Sequence, residues 1–309
     1  LVWQKVGPGV STVNFTGCDL TDEAVKALAK IRFCRVRVRA SVDEILVEDN
    51  RAVGVRLDTG EEIRSERVVS AAGVMSTARR LLPEHVDADW VQEVDALSPA
   101  PAHVCLYIGF KGDIRAAGAG AANKWFYETW ELEAGYWDVH PDREPEEAPV
   151  LYCSFPSLKD PGHDPGPEQL HTGEAVTFVP WEVFEPWKDL QWKKRGEEYE
   201  AFKKSMADRL LGQLIRHLPE LEPMVDFVEL STPLSTDNFC RPIRGSIYGI
   251  EPTPERYRCD ALRAHTPIKN LFLSGSEVAT VGVMGAMAGG MVAAMAVEPV
   301  RVGRLVGGL

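Results

Sequence analysis

The spacing of apolar positions changes period several times along the chain, and each change marks an element. Residues 1 to 18 carry no firm periodicity. In "LTDEAVKALAKI", Leu20, Ala24, Leu28 and Ile31 share one helical face, with Thr21 or Asp22 able to cap a short helix. After it the period drops to two. "RVRVRA" alternates, "VDEILVE" stays extended, "DNR" supplies a turn, "AVGVRLD" alternates again, "TGEE" turns, and "IRSERVVSAAG" ends in an apolar run stopped by Gly73. This pattern predicts a strand meander leading into a buried strand. From residue 98 the texture shifts: "SPAPAHVCLYIGF" predicts a strand, and residues 123 to 164, rich in Trp, Tyr, Pro and acids, predict long loops on a second domain. "KKRGEEYEAFKKSMADRLLGQLIRHL" then sets Tyr199, Phe202, Met206, Leu210, Leu214 and Leu218 at helical spacing, with Pro219 as the stop. "MVDFVELSTPLS" reads as a strand and "RGSIYGIEPTPERY" as a Gly/Pro turn region.

The last pattern is the most informative. "LFLSGSEVATVGVMGAMAGGMVAAMA", residues 271 to 296, reads as a buried strand, a glycine turn carrying an acid, and a helix of Gly, Ala, Val and Met. Gly282, Ala286, Gly290 and Ala294 form one row of small residues, and Gly285, Gly289 and Ala293 a second. Both permit close packing. Met287, Met291 and Met295 form a third row, expected as core filler within a buried segment. The helix start leaves its first N–H groups without intrahelical partners and carries about half a positive charge, so something electron-rich belongs there. Gly282 and Gly285 remove side chains at that point. Glu277, just ahead of the helix, needs a partner if buried; a sugar-chain hydroxyl is one candidate, and a capping or solvent-facing role is the other.

Composition narrows the classes. A chain of 309 residues, 45% hydrophobic, can bury one large core or two ordinary ones. Its net charge of -12 argues against nucleic acid, and the basic positions of "RFCRVRVRA" fall on one solvated strand face. Cys18, Cys34, Cys105, Cys153, Cys240 and Cys259 lie far apart, without zinc-site spacing, and read as free thiols of a reducing, cytoplasmic compartment; no metal is expected. No secretory leader is recognisable. Residues 271 to 297 approach membrane-spanning length, but Glu277 and the glycines argue for a buried segment instead. There is no G-x-S-x-G elbow and no phosphate-loop lysine, so hydrolase and kinase chemistry fall away. His103, His171 and His265 are isolated, and no proton donor stands out.

Taken in order, "LFLSGSEVATVGVMGAMAGG" resembles the carboxy-terminal flavin motif of the phytoene desaturase, carotenoid isomerase and retinol saturase group of FAD-dependent oxidoreductases. "ASVDEILVEDNRAVGVRLDTGEEIRSERVVSAAG" is similar to that group's strand meander, and "SPAPAHVCLYIGF", "LYCSFPSLKDP" and "GSIYGIEPTPERY" are most similar to its retinol saturase branch. The resemblance implies an α/β fold with mixed sheet: a partial FAD-binding, Rossmann-like domain formed by residues 1 to 97 and 241 to 309, with a substrate domain of sheet and helices inserted at 98 to 240. It assigns the ribityl chain and flavin ring to Gly275, Ser276, Glu277, Gly282, Val283, Met284 and Gly285. It gives the adenine to the Val42 backbone, and brings the strand ending at Ala72 back to the FAD sheet. Asp237, Arg244 and Tyr248 fall in a segment implied to lie near the flavin, where a structural role is equally open. The implied activity is hydride transfer at the flavin to or from the C=C bonds of a hydrophobic polyene or isoprenoid, with peripheral membrane contact for substrate uptake. Amine oxidation on the same architecture, and a non-catalytic binding module, are the alternatives.

One departure matters. The family's GxGxxG strand, turn and helix, which grips the FAD pyrophosphate, is absent; "GPGVST" at Gly7 has two of the three glycines and follows a poor buried strand. With Leu1 rather than Met at its start, the sequence is expected to begin inside a longer protein. Alone it is expected to bind FAD weakly or not at all and to associate through an exposed sheet edge.

Overall fold

The computed structural model describes residues 2–3, 11–14, 34–83, 86, 88–131 and 135–306, in two compact units: Leu1–Ala100 with Phe239–Leu309, and Pro101–Asn238. The helix expected in "LTDEAVKALAKI" lies outside the described residues.

In the first unit, β1 (Val2–Trp3), β2 (Ser11–Asn14) and β3 (Cys34–Arg37) precede the expected meander, β4 (Val42–Glu48), β5 (Arg51–Leu57) and β6 (Glu62–Arg64), which pairs antiparallel throughout. Its first turn is local chemistry. Asp49 and Asn50 both take positive φ, 48° and 56°, the left-handed pair that a two-residue hairpin requires. The inward positions Ile45, Val55 and Leu57 are almost fully buried. The described basic residues of the preceding segment, Arg37 and Arg39, are exposed, and Arg37 forks onto Glu61. The apolar run that ends the meander is β7 (Arg67–Ser70), followed after Gly73 by a helical stretch, Val74–Ser76 continuing through Thr77–Leu81.

The second unit is a five-stranded antiparallel sheet with a long helix. β8 (Ala102–Lys111), β9 (Lys124–Tyr127), β10 (Val150–Ser154), β11 (Leu170–Val179) and β12 (Val225–Ser231) lie in the order β12-β8-β11-β10-β9. Alternation decides the faces. Val104, Leu106, Ile108 and Phe110 of β8 join a core with Ala175 and Val179 of β11 and with Tyr199, Phe202, Met206, Leu210 and Leu214 of the Glu197–His217 helix. Tyr107, Trp125, Tyr127, Tyr152 and Phe227 occupy the opposite parity. The strand expected over "MVDFVELSTPLS" stops at Ser231, because Pro233 begins a helix, Pro233–Cys240.

The chain then re-enters the first unit and forms β13 (Leu271–Leu273). It pairs parallel with β7, Leu271 opposite Val68 and Leu273 opposite Ser70, while β1 flanks β7 on its other edge. The Gly282–Val297 helix follows, as the pattern predicts. Its environment differs from expectation. Only Gly285, Gly289 and Ala293 are buried, whereas Met287, Met291 and Met295 are 63%, 52% and 37% exposed. The Met row sits two positions on from the glycine row, about 200° around the helix, and so faces away from the unit. No helix among the described residues is long and apolar enough to cross a membrane.

Candidate functional site

The site forms where β7 and β13 end side by side. Their parallel register continues past the strands, since the Ser274 N–H donates to the Ser70 carbonyl at 2.8 Å. Beyond that bond both chains turn on glycines in the left-handed half of conformational space, Gly73 at φ 89° and Gly275 at φ 105°. Two helices start from these turns, one at Val74 and the other at Gly282.

Glu277 joins the two turns. Its carboxylate is buried and accepts the Val74 N–H at 2.5 Å, capping the helical stretch that begins there. The sequence offers two possible partners for this acid, a capping role or a sugar hydroxyl; the described contact is the cap. Two glycines make room for it. A Cβ on Gly249 would lie 1.7 Å from Glu277 Oε1, and one on Gly73 would lie 3.0 Å from the same atom. Burial pushes the Glu277 carboxyl above its usual range, while the Val74 N–H and the Arg256 charge pull it back. Arg256 is 2% exposed and donates to the Ser276 carbonyl at 2.6 Å and to the Ile250 carbonyl; burial lowers its pKa, opposed by Glu277.

Neither Arg256 nor Gly249 stands out in the sequence. The local signal at Arg256 is helix chemistry: Thr253 caps a short helix, Pro254–Arg258, with Pro at its first position and the Arg256 N–H on the Thr253 hydroxyl at 3.3 Å. What Arg256 does at Ser276, twenty positions along the chain, is a tertiary matter.

The small residues of the second helix divide by function. Gly285 and Gly289 are filled by protein: an added Cβ would meet the Thr280 carbonyl oxygen at 1.6 Å and the Gly275 carbonyl oxygen at 2.0 Å. The close approach expected at Gly285 is therefore made by the chain's own turn. Gly282, at φ 81°, and Gly275 have nothing within 4 Å of an added Cβ. Val281 precedes the helix without capping it by a side chain, and Val283 and Met284 are 79% and 74% exposed. An uncapped end of a 16-residue helix, free of side-chain bulk at Gly282, suits a flat, electron-rich group.

The remaining predicted positions divide between the two units. Ser276, half-buried, supplies its carbonyl to Arg256. Ala72 is exposed in the turn after β7, and Val42, half-buried, opens β4 opposite Leu57. Arg244 takes φ 49° in a tight turn, Tyr248 is 41% exposed, and Asp237 lies in the Pro233–Cys240 helix of the other unit's boundary.

A parallel strand pair, each strand turning on glycine into a helix, beside an antiparallel meander, defines an α/β unit of the kind found in nucleotide-cofactor oxidoreductases. Most of the chain has structural counterparts of the same fold. It aligns with a Methanosarcina mazei oxidoreductase at a TM-score of 0.54 and 16% identity, covering 87% of this chain and 52% of the other. It also aligns with a putrescine oxidase bound to putrescine, at a TM-score of 0.53 and 15% identity, covering 90% and 51%. The family model for flavin containing amine oxidoreductases matches residues 16–298, and the chain belongs to this family. Its curated relatives include an inactive all-trans-retinol 13,14-reductase of Danio rerio, 32% identical over 85% of this chain and 45% of the relative. An all-trans-retinol 13,14-reductase of Rattus norvegicus is 30% identical with the same coverages. A 4,4'-diaponeurosporene oxygenase of Staphylococcus aureus is 23% identical over 74% and 42%. The chain thus spans about half the length of the curated relatives it matches.

Proposed function

We propose that this chain is part of an FAD-dependent oxidoreductase acting on C=C bonds of a hydrophobic polyene. The observation that carries the reading is the uncapped helix end at Gly282, open in front and held from behind by the Thr280 and Gly275 carbonyl contacts. When bound, the flavin supplies hydride transfer. The chain's own part is electrostatic and positional. The first N–H groups of the Gly282–Val297 helix favour negative charge by about 0.3 to 1 kcal/mol when exposed and up to ~2 when partly buried. Glu277 and Arg256 hold the 275–277 turn against the Val74 end, so the helix start is aimed by two buried charges rather than by loop conformation alone. Gly275, Ser276, Gly282, Val283 and Met284 form the cofactor-side surface in this reading, with Gly285 packed behind them against the Thr280 carbonyl; Val42 and Ala72 belong to the same unit.

The substrate class rests on the second unit. Tyr107, Trp125, Tyr127 and Phe227, 48% to 55% exposed, project from the sheet face opposite the core, with Trp125 edge-on to Tyr152 at 4.9 Å. Such a surface suits a long, flat, apolar molecule better than an amine. The retinol reductases and the carotenoid-type oxygenase among the relatives favour the same class. Peripheral membrane contact for substrate uptake, and association through the outer edge of β13 and the exposed helix faces, complete the proposal.

Titrating the full-length protein with FAD and following flavin fluorescence tests the cofactor site. Saturable binding that is lost in Gly282→Val supports it; equal binding by wild type and Gly282→Val overturns it.

A further inference from the structure

The second unit holds a cleft of about 660 Å³ that the proposed flavin chemistry does not use. Its wall includes Val183, Trp187 and Leu190, and its polar lining residues include His140, Glu182, Arg195 and Glu198. Arg195 is the unusual member. It is only 6% exposed, yet among the described residues its side chain meets a backbone carbonyl and an aromatic ring and forms no ion pair. Its Nη2 donates to the Leu234 carbonyl at 3.2 Å, its Nε–H is buried with no acceptor, and its guanidinium lies 5.4 Å from the Tyr199 ring. Buried guanidinium donors are ordinarily matched, most often by a carboxylate.

The backbone beside it adds to the same demand. Gly196, at φ 92° with open space where a Cβ would stand, leads into the Glu197–His217 helix without a side-chain cap. A 21-residue helix therefore starts next to a buried cation, and Glu198 of its first turn lines the cleft. Glu182 and Glu198 oppose an incoming anion, but both are exposed. Exposed charges act through water and are screened within a Debye length of about 8 to 10 Å. A buried charge acts through a medium of effective dielectric nearer about 20 than 80, so Arg195 outweighs either glutamate roughly fourfold at equal distance. The apolar wall excludes a small, strongly hydrated ion as the best match.

We propose that this cleft binds an apolar carboxylate, its head group on Arg195 and its body against Val183, Trp187 and Leu190. The inference is independent of the flavin reading, since every residue it uses lies in Pro101–Asn238.

Benzoate and its neutral counterpart benzyl alcohol are the probes, titrated into the protein and followed by ligand-observed NMR. Benzoate should bind about tenfold or more tightly than benzyl alcohol, the factor expected for one charge-assisted hydrogen bond. Arg195→Met should bring benzoate down to the benzyl alcohol level. Because Arg195 is buried, Glu198→Gln provides a second test on an exposed side chain: removing the opposing charge should tighten benzoate about two- to fivefold at low salt and leave benzyl alcohol unchanged. Equal binding of the two probes by wild type, undiminished benzoate binding by folded Arg195→Met, or no gain in Glu198→Gln overturns the proposal.

Discussion

Gly289 and Gly290 are neighbours in one helix, and replacing each by alanine should move stability in opposite directions. In an exposed helix interior, Gly to Ala stabilises by about 0.5 to 1 kcal/mol, because alanine loses less backbone freedom on folding. Gly290 is half-buried but has room for the methyl: the nearest atom to an added Cβ, Ser274 Oγ, is 4.0 Å away. At Gly289 the same methyl would stand 2.0 Å from the Gly275 carbonyl oxygen and 2.8 Å from its carbon. Ordinary contact is about 3.4 to 4 Å, so the helix must lift by more than about 1 Å, and the obstacle is backbone that cannot rotate aside. Overpacking of this kind costs about 1 to 3 kcal/mol, with the upper end expected here; after the propensity gain, Gly289→Ala should destabilise by about 1 to 2 kcal/mol. The gap between the two variants is then about 2 kcal/mol or more, equal to about a 30-fold difference in an equilibrium constant. Native-state amide hydrogen exchange at Leu273 and Ser274, whose N–H groups bond the Ala264 and Ser70 carbonyls, reads this unit directly. Faster exchange in Gly289→Ala and slower exchange in Gly290→Ala is the expected result. Equal exchange rates in the two variants would refute the packing argument.

Two further outcomes follow from the same geometry. In the full-length protein Gly285→Leu, whose Cβ would meet the Thr280 carbonyl oxygen at 1.6 Å, should weaken flavin binding far more than Met291→Leu, a near volume-conserving change at a residue 52% exposed; flavin fluorescence titration compares them, and equal losses would count against a role for the helix start. The two buried or half-buried glutamates should give the units opposite acid responses. Glu277, whose pKa is raised by burial, binds its proton more tightly when folded, so its contribution is complete below the usual 4.5 and declines as pH rises through the folded value; Glu277→Gln should flatten that decline. Glu128 is partly buried, but hydrogen bonds from Arg216, His217 and Gln213 hold it down to about 2, so its contribution is complete above 4.5 and lost as pH falls toward that value. Urea titrations at stepped pH on Glu277→Gln and Glu128→Gln check both slopes; slopes of the same sign in the two variants would contradict the assignment.

Local pattern was enough for much of this protein. The meander of β4 to β6, its Asp49-Asn50 turn, the Glu197–His217 helix and the strand, turn and helix of residues 271 to 297 all follow from periodicity and turn chemistry, because those signals reside in residues close together in sequence. The same holds for the resemblance carried by the last segment, whose order of glycines is itself a local feature. Other properties needed the folded chain. That Glu277 caps Val74, 203 positions away, that Gly249 leaves room for its carboxylate, and that Arg256 secures the Ser276 turn are contacts between distant segments with no periodic trace. The Met row is the instructive case. Apolarity and spacing describe a helix face without naming what it meets, and three small or apolar rows compete for the one inward direction. Packing decides between them: only the row of Gly285, Gly289 and Ala293 lets the helix axis close onto the 275–280 turn, and the bulk of Met287 and Met291 is turned outward as a result.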